Sequence, residues 1–228
     1  MKKEVGQKNT KKYYNMAIKH PSIDPELDRI IEHYGSDKIL SNYNIGYAKA
    51  FKDIRYDITS VLEIGVGSTA SNSTSYSFSG NKIHYPHYKP GGSLRVWRDY
   101  FPNATIHGVD IEEDCIIDEE RIKTFIFRSM DLHNCKKHLF DFKYDIIIDD
   151  GDHSAISQLI TLKNLLPLLK KGGLYFIEDI GGYQGYPEPD GSWYKPELLL
   201  EFKDELYKTV EKYGLSVDSS INRPFLIS

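Results

Sequence analysis

Residues 143–180, KYDIIIDDGDHSAISQLITLKNLLPLLKKGGLYFIEDI, constrain the fold more than any other stretch. They read as an apolar strand, an acidic turn, a long helix, a Gly-Gly turn and a second strand. Tyr144 to Ile148 is a short strand, apolar but for Asp145, that ends in Asp149 and Asp150. That is the pattern of a parallel strand buried on both faces, with its carboxyl end at a polar site. Ser154 is placed to cap the helix, and Ile156, Leu159, Ile160, Leu162, Leu165, Leu166 and Leu169 give it an apolar face at helical spacing. Gly172 and Gly173 are expected to stop it, and Leu174 to Ile177 to form the next strand, closing on Glu178 and Asp179. Two such strands side by side gather Asp149, Asp150, Asp152, His153, Glu178 and Asp179 at one sheet edge, where open α/β sheets take their ligands. Carboxylates gathered in this way suit a hard divalent cation.

The elements upstream extend the same sheet. Asp24-Pro25 opens a helix that Gly35 closes, and Tyr43, Tyr47 and Phe51 form one stripe of a second helix. Core packing accounts for the stripe and is favoured for Phe51, while Tyr43 and Tyr47 could instead rim a ligand pocket. Ser60 to Ile64 is the first sheet strand and runs directly into Glu63–Ser68, EIGVGS. A turn with Gly65 and Gly67 lets a ligand approach the backbone where side chains would clash, and by itself suits NAD, FAD or S-adenosylmethionine. The third glycine of the dinucleotide fingerprint is missing, which favours the last. Ser93 is positioned to cap a short helix with Leu94 and Trp97 inward. Thr105 to Val109 makes a second strand, with Asp110 at its end to accept hydrogen bonds from ribose hydroxyls. Thr124 to Phe127 makes a third, after which Ser129 and Asp131 could flank an adenine. Glu197 to Tyr213 is an amphipathic helix with Leu198, Leu199, Phe202, Leu206 and Val210 inward, and Leu215–Val217 and Phe225–Ile227 form a closing strand pair.

Between these elements lie two long tyrosine-bearing loops. Residues 68–90 have no clear period and are expected to form a lid; their His84 and His87 read as surface histidines. Residues 181–194 make a second loop over the same edge. A net charge of −4 without a long basic face argues against a nucleic-acid partner. No apolar window approaches a membrane span, and the lysines at 2, 3, 8, 11 and 12 are not followed by the apolar core of a signal peptide. Cys115 and Cys135 are too few for a disulfide framework and fit a reducing cytoplasm.

Taken together, VLEIGVG, GGSLRVWRDYFPNATIHGVDI, DIIIDDGDH and LLPLLKKGGLYFIEDI resemble the class I S-adenosylmethionine-dependent methyltransferases. Within these, the similarity points to the metal-dependent sugar O-methyltransferases of macrolide and rhamnosyl natural products, whose relatives are often called cephalosporin-hydroxylase-like. It spans roughly Tyr34 to Ile180. The resemblance implies a Rossmann-like, doubly wound, mostly parallel seven-stranded sheet with helices on both faces. It implies a short helical extension over residues 1–55 and a methyltransferase domain over 56–228. It places a metal, Mg²⁺ or alternatively Mn²⁺, on Asp150, Glu178 and Asp179, with His153 as general base beside Asp150. S-adenosylmethionine is expected at Glu63, Gly65, Gly67, Asp110, Ser129, Asp131 and Asp149, and the sugar at Tyr43, Tyr47, Tyr183 and Trp193. Two departures stand out: Ser41 where the family often has histidine, and a 68–90 loop longer than usual.

The chemistry this implies is methyl transfer to a sugar hydroxyl, on a nucleotide-linked sugar or a surface or capsular glycan precursor. A barely acidic hydroxyl needs a Lewis acid and a base, and imidazole titrates near neutrality. An iron(II) oxygenase is the alternative enzyme class, but such sites use two histidines and one carboxylate, and here only His153 stands in the cluster. A non-catalytic S-adenosylmethionine-binding protein is the other alternative. Family relatives often assemble as homo-oligomers; the sequence does not set a subunit number.

Overall fold

The computed structural model describes residues 20–70, 88–180, 196–218 and 224–228, with side chains described from 201 onward in the segment that starts at 196. Helix α1 (Pro25–Tyr34) starts where Asp24 accepts hydrogen bonds from the Glu26 and Leu27 amides, and stops at Gly35, whose φ of 67° suits a residue without Cβ. A 3₁₀ turn (Asp37–Ile39) and helix α2 (Tyr43–Phe51) follow. The sheet is then built from β1 (Ser60–Ile64), α3 (Gly92–Tyr100), β2 (Thr105–Asp110), β3 (Asp118–Glu119), β4 (Ile122–Ile126), α4 (Leu132–Leu139) and β5 (Tyr144–Asp149). It is completed by α5 (Ala155–Leu165), β6 (Leu169–Ile177), α6 (Pro196–Lys212), β7 (Val217–Asp218) and β8 (Phe225–Ile227).

The strand order is β3-β4-β2-β1-β5-β6-β8-β7. Strands β4, β2, β1, β5 and β6 run parallel, and β3, β8 and β7 pair antiparallel at the two edges. The sheet thus has eight strands where seven were expected, the extra one being the two-residue β3. The order reverses between β1 and β5, and a doubly wound sheet opens its ligand crevice at such a switch point.

Strand alternation divides the core into two layers. On one face Val61, Ile146, Ile148 and Phe176 pack with Leu27 and Ile31 of α1, Tyr47 and Phe51 of α2, and Trp97 of α3. On the other, Leu62, Ile147, Tyr175 and Ile177 pack with Cys135 and Leu139 of α4, Leu162 and Leu165 of α5, and Phe202, Leu206 and Val210 of α6. Helices α1 and α2 of the N-terminal extension therefore share one core with the central strands.

Four local expectations are corrected. Helix α5 ends at Leu165 and passes through a 3₁₀ turn around Pro167, which lacks an amide donor and whose ring crowds the preceding turn. Gly172 and Gly173 lie inside β6 instead of stopping the helix, where the β5–β6 register shifts. The buried face of α5 is largely polar. Ile156 is 67% exposed, whereas Ser157, Gln158, Thr161 and Asn164 are buried. Their partners explain the rotation: Gln158 donates to the Glu178 carbonyl, Asn164 to the Ser129 carbonyl, and Ser157 to Asp152. A helix beside strand ends satisfies loop carbonyls that would otherwise be buried unpaired. Finally, α3 is capped by Gly91, and Ser93 sits in its first turn facing the Glu63 carboxylate.

Candidate active site

The site is set by the last rungs of β1, β5 and β6. Ile64, Asp149 and Ile177 are in register, and the next amides continue the ladder: Asp150 N–H donates to the Ile64 carbonyl and Glu178 N–H to the Asp149 carbonyl, both at 2.9 Å. Asp150 and Glu178 thus leave adjacent strands at the same height. Gly65 leaves β1 at φ 87°, and a Cβ there would lie 2.0 Å from the Asp150 carbonyl oxygen. The glycine is required by the approach of β1 to β5. Its turn is braced by Asp110, whose Oδ2 accepts from the Val66 and Gly67 amides at 2.7 and 3.2 Å.

At the inner end of the cluster sits a cation that sequence reasoning missed. Lys38, on the 3₁₀ turn, is fully buried, with Nζ 2.7 Å from Glu178 Oε1, 3.0 Å from Asp150 Oδ2 and 3.1 Å from Glu63 Oε1. Tyr47 donates to Glu178 Oε1, and Trp97 Nε1 donates to Glu63 Oε2 at 3.1 Å. Burial alone disfavours the ammonium, but Asp150, Glu178 and Glu63 outweigh it and hold Lys38 well above the usual lysine range. Burial likewise pushes Glu63 and Glu178 up, against the pull of Lys38. The signal was available: a glutamate inside the apolar strand VLEI needs a buried counter-charge.

At the outer end, His153 Nε2 lies 3.9 Å from Asp150 Oδ1 and 4.0 Å from Asp179 Oδ2. Tyr43 donates to Asp179 Oδ1 at 2.7 Å and accepts from the Asp179 amide at 2.9 Å. Both His153 (φ 60°) and Asp179 (φ 45°) adopt left-handed backbone, which side-chain-bearing residues seldom do and which concentrates at functional sites. Asp150, His153 and Asp179 each offer a ligand atom within 4.8 Å of the others, and so do Glu63, Asp150 and Glu178. The two groups share Asp150. The inner one already surrounds the Lys38 ammonium, and the outer one has the donor set of a divalent-cation site.

No family model matches the chain. It is 32% identical over 173 residues to mycinamicin VI 2''-O-methyltransferase of Micromonospora griseorubida, covering 72% of this chain and 40% of that protein. It is 31% identical over 180 residues to demethylmacrocin O-methyltransferase of Streptomyces fradiae, covering 75% of this chain and 42% of that one. Among solved structures, the MycE methyltransferase of the mycinamycin pathway, in complex with Mg, SAH and mycinamycin VI, aligns with a TM-score of 0.68 at 26% identity. That alignment covers 90% of this chain and 54% of MycE.

The chain is a homologue of the class I sugar O-methyltransferases. It spans about two fifths of the length of the curated relatives it matches. Its eight-stranded mixed sheet is the Rossmann-like methyltransferase fold of that family.

Against the family expectation, the structure distributes the candidate residues unevenly. Asp150, His153 and Asp179 converge. Glu178 joins them through Asp150 but spends Oε1 on Lys38 and Tyr47. Glu63, expected at the cofactor, is fully buried between Lys38 and Trp97. Tyr47, expected to rim a pocket, is core, stacked on Phe51 with ring centroids 5.2 Å apart. Asp131 caps α4 by accepting from the His133 and Asn134 amides, and Ser129 pairs with Thr161 at 2.7 Å. Asp149 points to the α4–α5–α6 side of the sheet, where burial pushes its carboxyl up to about 8. Tyr183, Trp193, His84 and His87 lie outside the described residues. Among the described residues no helix is long and apolar enough to cross a membrane.

Proposed function

We propose that this chain transfers the methyl group of S-adenosylmethionine to a sugar hydroxyl, with a divalent ion, Mg²⁺ or Mn²⁺, at the acidic strand ends. The observation that carries this reading is the convergence of Asp150, His153 and Asp179 beside the Gly65–Gly67 turn at the switch point of the sheet. The turn, with Asp110 holding its amides, is the place for the cofactor, since glycines at 65 and 67 leave no side chain between the backbone and a ligand in the crevice. Asp150 and Asp179 would hold the ion, with Glu178 contributing the oxygen not taken by Lys38. When bound, the ion supplies Lewis-acid stabilisation of a developing alkoxide.

The protein's own task is then positioning and proton removal, since the sulfonium is already an activated electrophile. His153 Nε2 faces the space between Asp150 and Asp179 and is the group to accept the hydroxyl proton. Tyr43 fixes Asp179 from behind, through both its side chain and its amide. A second histidine is absent from the donor set among the described residues, which supports a transferase over an iron(II) oxygenase.

For the acceptor we infer a small activated sugar, nucleotide-linked or destined for a surface glycan. The reading rests on the resemblance, in which Ser41 stands where the family often has histidine and the 68–90 loop is longer than usual. The two buried free cysteines, Cys115 and Cys135, fit a cytoplasmic enzyme. The test is a labelled-methyl assay across nucleotide-diphosphate sugars and macrolide glycosides, with Mg²⁺ or with EDTA. Metal-dependent labelling of a nucleotide sugar supports the full reading, and labelling of macrolide glycosides alone replaces the acceptor. Cofactor binding without transfer to any sugar would favour a non-catalytic binding protein.

A further inference from the structure

The acidic cluster is two carboxylate sites sharing one residue. The outer site is Asp150 with His153 and Asp179, and the inner site is Asp150 with Glu63 and Glu178; in each the ligand atoms lie within 4.8 Å of one another. Adjoining oxygen sites bridged by a carboxylate are the arrangement that holds two metal ions about 3.5–4 Å apart. Here the inner site surrounds Lys38 Nζ, at 2.7, 3.0 and 3.1 Å from the three carboxylates. Glu63 Oε1 is buried and meets the ammonium at 3.1 Å as an ion pair. It is oriented as a ligand toward a point charge at the centre of the site. The element that delivers the lysine is unrelated to the sheet: a 3₁₀ turn between α1 and α2 carries Lys38 across to the strand ends.

We propose that Lys38 is a built-in cation, its ammonium standing where a second divalent ion would bind and so restricting this centre to one exchangeable metal. This rests on the reading of the outer site as a metal site, although the inner site is argued from its own geometry. An ammonium donates three hydrogen bonds and carries one charge. It holds Glu63, Asp150 and Glu178 together without competing for the outer donors, Asp150 Oδ1 and Asp179 Oδ2. Lys38 is in this sense a positioning residue: it touches the groups that would hold the ion and leaves the reacting atoms to others.

The experiment counts Mn²⁺ bound to the full chain by calorimetry and by electron paramagnetic resonance, for the native protein, Lys38→Ala and Lys38→Met. Alanine removes the ammonium and leaves room in its place; methionine fills that room without charge. The expected counts are one ion in the native protein, two in Lys38→Ala with a spin-coupled manganese signal, and one in Lys38→Met. One ion in the native protein and one uncoupled ion in Lys38→Ala overturns the proposal while leaving the outer site intact. No ion in the native protein but one in Lys38→Ala keeps the inner site and removes the outer-site reading, and no ion in either removes both. Two ions in Lys38→Met place the extra ion elsewhere and also overturn it. Should Lys38→Ala be unfolded in EDTA, recovery of its native circular dichroism with Mn²⁺ supports the proposal, and failure to recover overturns it.

Discussion

Lys38 Nζ and Glu178 Oε1 stand 2.7 Å apart with their side chains 0% and 2% exposed, linking the N-terminal segment to the end of β6 across 140 residues of sequence. Charges this deep survive only in company, and removing one partner strands the other. Lys38→Met in EDTA is therefore expected to lose roughly 3–5 kcal/mol of stability in urea unfolding. A loss below about 1 kcal/mol would mean that the three carboxylates find protons or water at little cost.

Gly65 is fixed by the carbonyl of Asp150. With a Cβ 2.0 Å from that oxygen and a backbone at φ 87°, Gly65→Ala must separate β1 from β5 or distort the turn. A destabilisation of at least about 2 kcal/mol is expected, together with weakened S-adenosylmethionine binding by calorimetry. Native affinity and native Tm in the variant would contradict the close approach described above.

Tyr43→Phe removes both hydrogen bonds to Asp179 and keeps the ring in place. Each such bond contributes about 1 kcal/mol, and the two fasten the side chain and the amide of Asp179, whose backbone is left-handed. A fall of roughly tenfold in kcat is expected with the cofactor Kd unchanged. A variant with unaltered kcat would show that Asp179 is held by its own loop.

His107 provides a pH dependence away from the site. Burial lowers its pKa to about 4, helped by Lys123, and its Nδ1 lies 2.8 Å from the Tyr144 hydroxyl. Between about pH 4 and the unfolded value near 6.5, the unfolded chain binds a proton that the folded one refuses. Stability is then complete above the unfolded value and falls as the pH drops through this window, by on the order of 2 kcal/mol by pH 5. Urea titrations at pH 7 and pH 5 should show the loss, and His107→Gln should flatten it. An equal loss in the variant would assign the slope to carboxylates.

Much of this architecture was legible because periodicity reports burial directly. The strands at 60–64 and 144–148, the Asp24 cap and the closing strand pair were all readable, and so was the gathering of Asp150, His153 and Asp179 at one edge. What escaped depends on tertiary company. Ile156 looked like core from its spacing, yet α5 turns its polar stripe inward because loop carbonyls at the strand ends need donors. Gly172-Gly173 looked like a helix stop, while Pro167 had already ended the helix. Lys38 is the largest omission. A single lysine in a short turn has no period to betray it, and only the unexplained acid in VLEI pointed to a buried counter-charge.

In the proposed reaction His153, between Asp150 and Asp179, takes the proton from the acceptor hydroxyl. The most direct measurement is single-turnover methyl transfer by His153→Ala, alongside its S-adenosylmethionine affinity, once an acceptor is in hand. The rate is expected to fall by about 10²- to 10⁴-fold with cofactor binding unchanged; a native rate in the variant would contradict this role for His153.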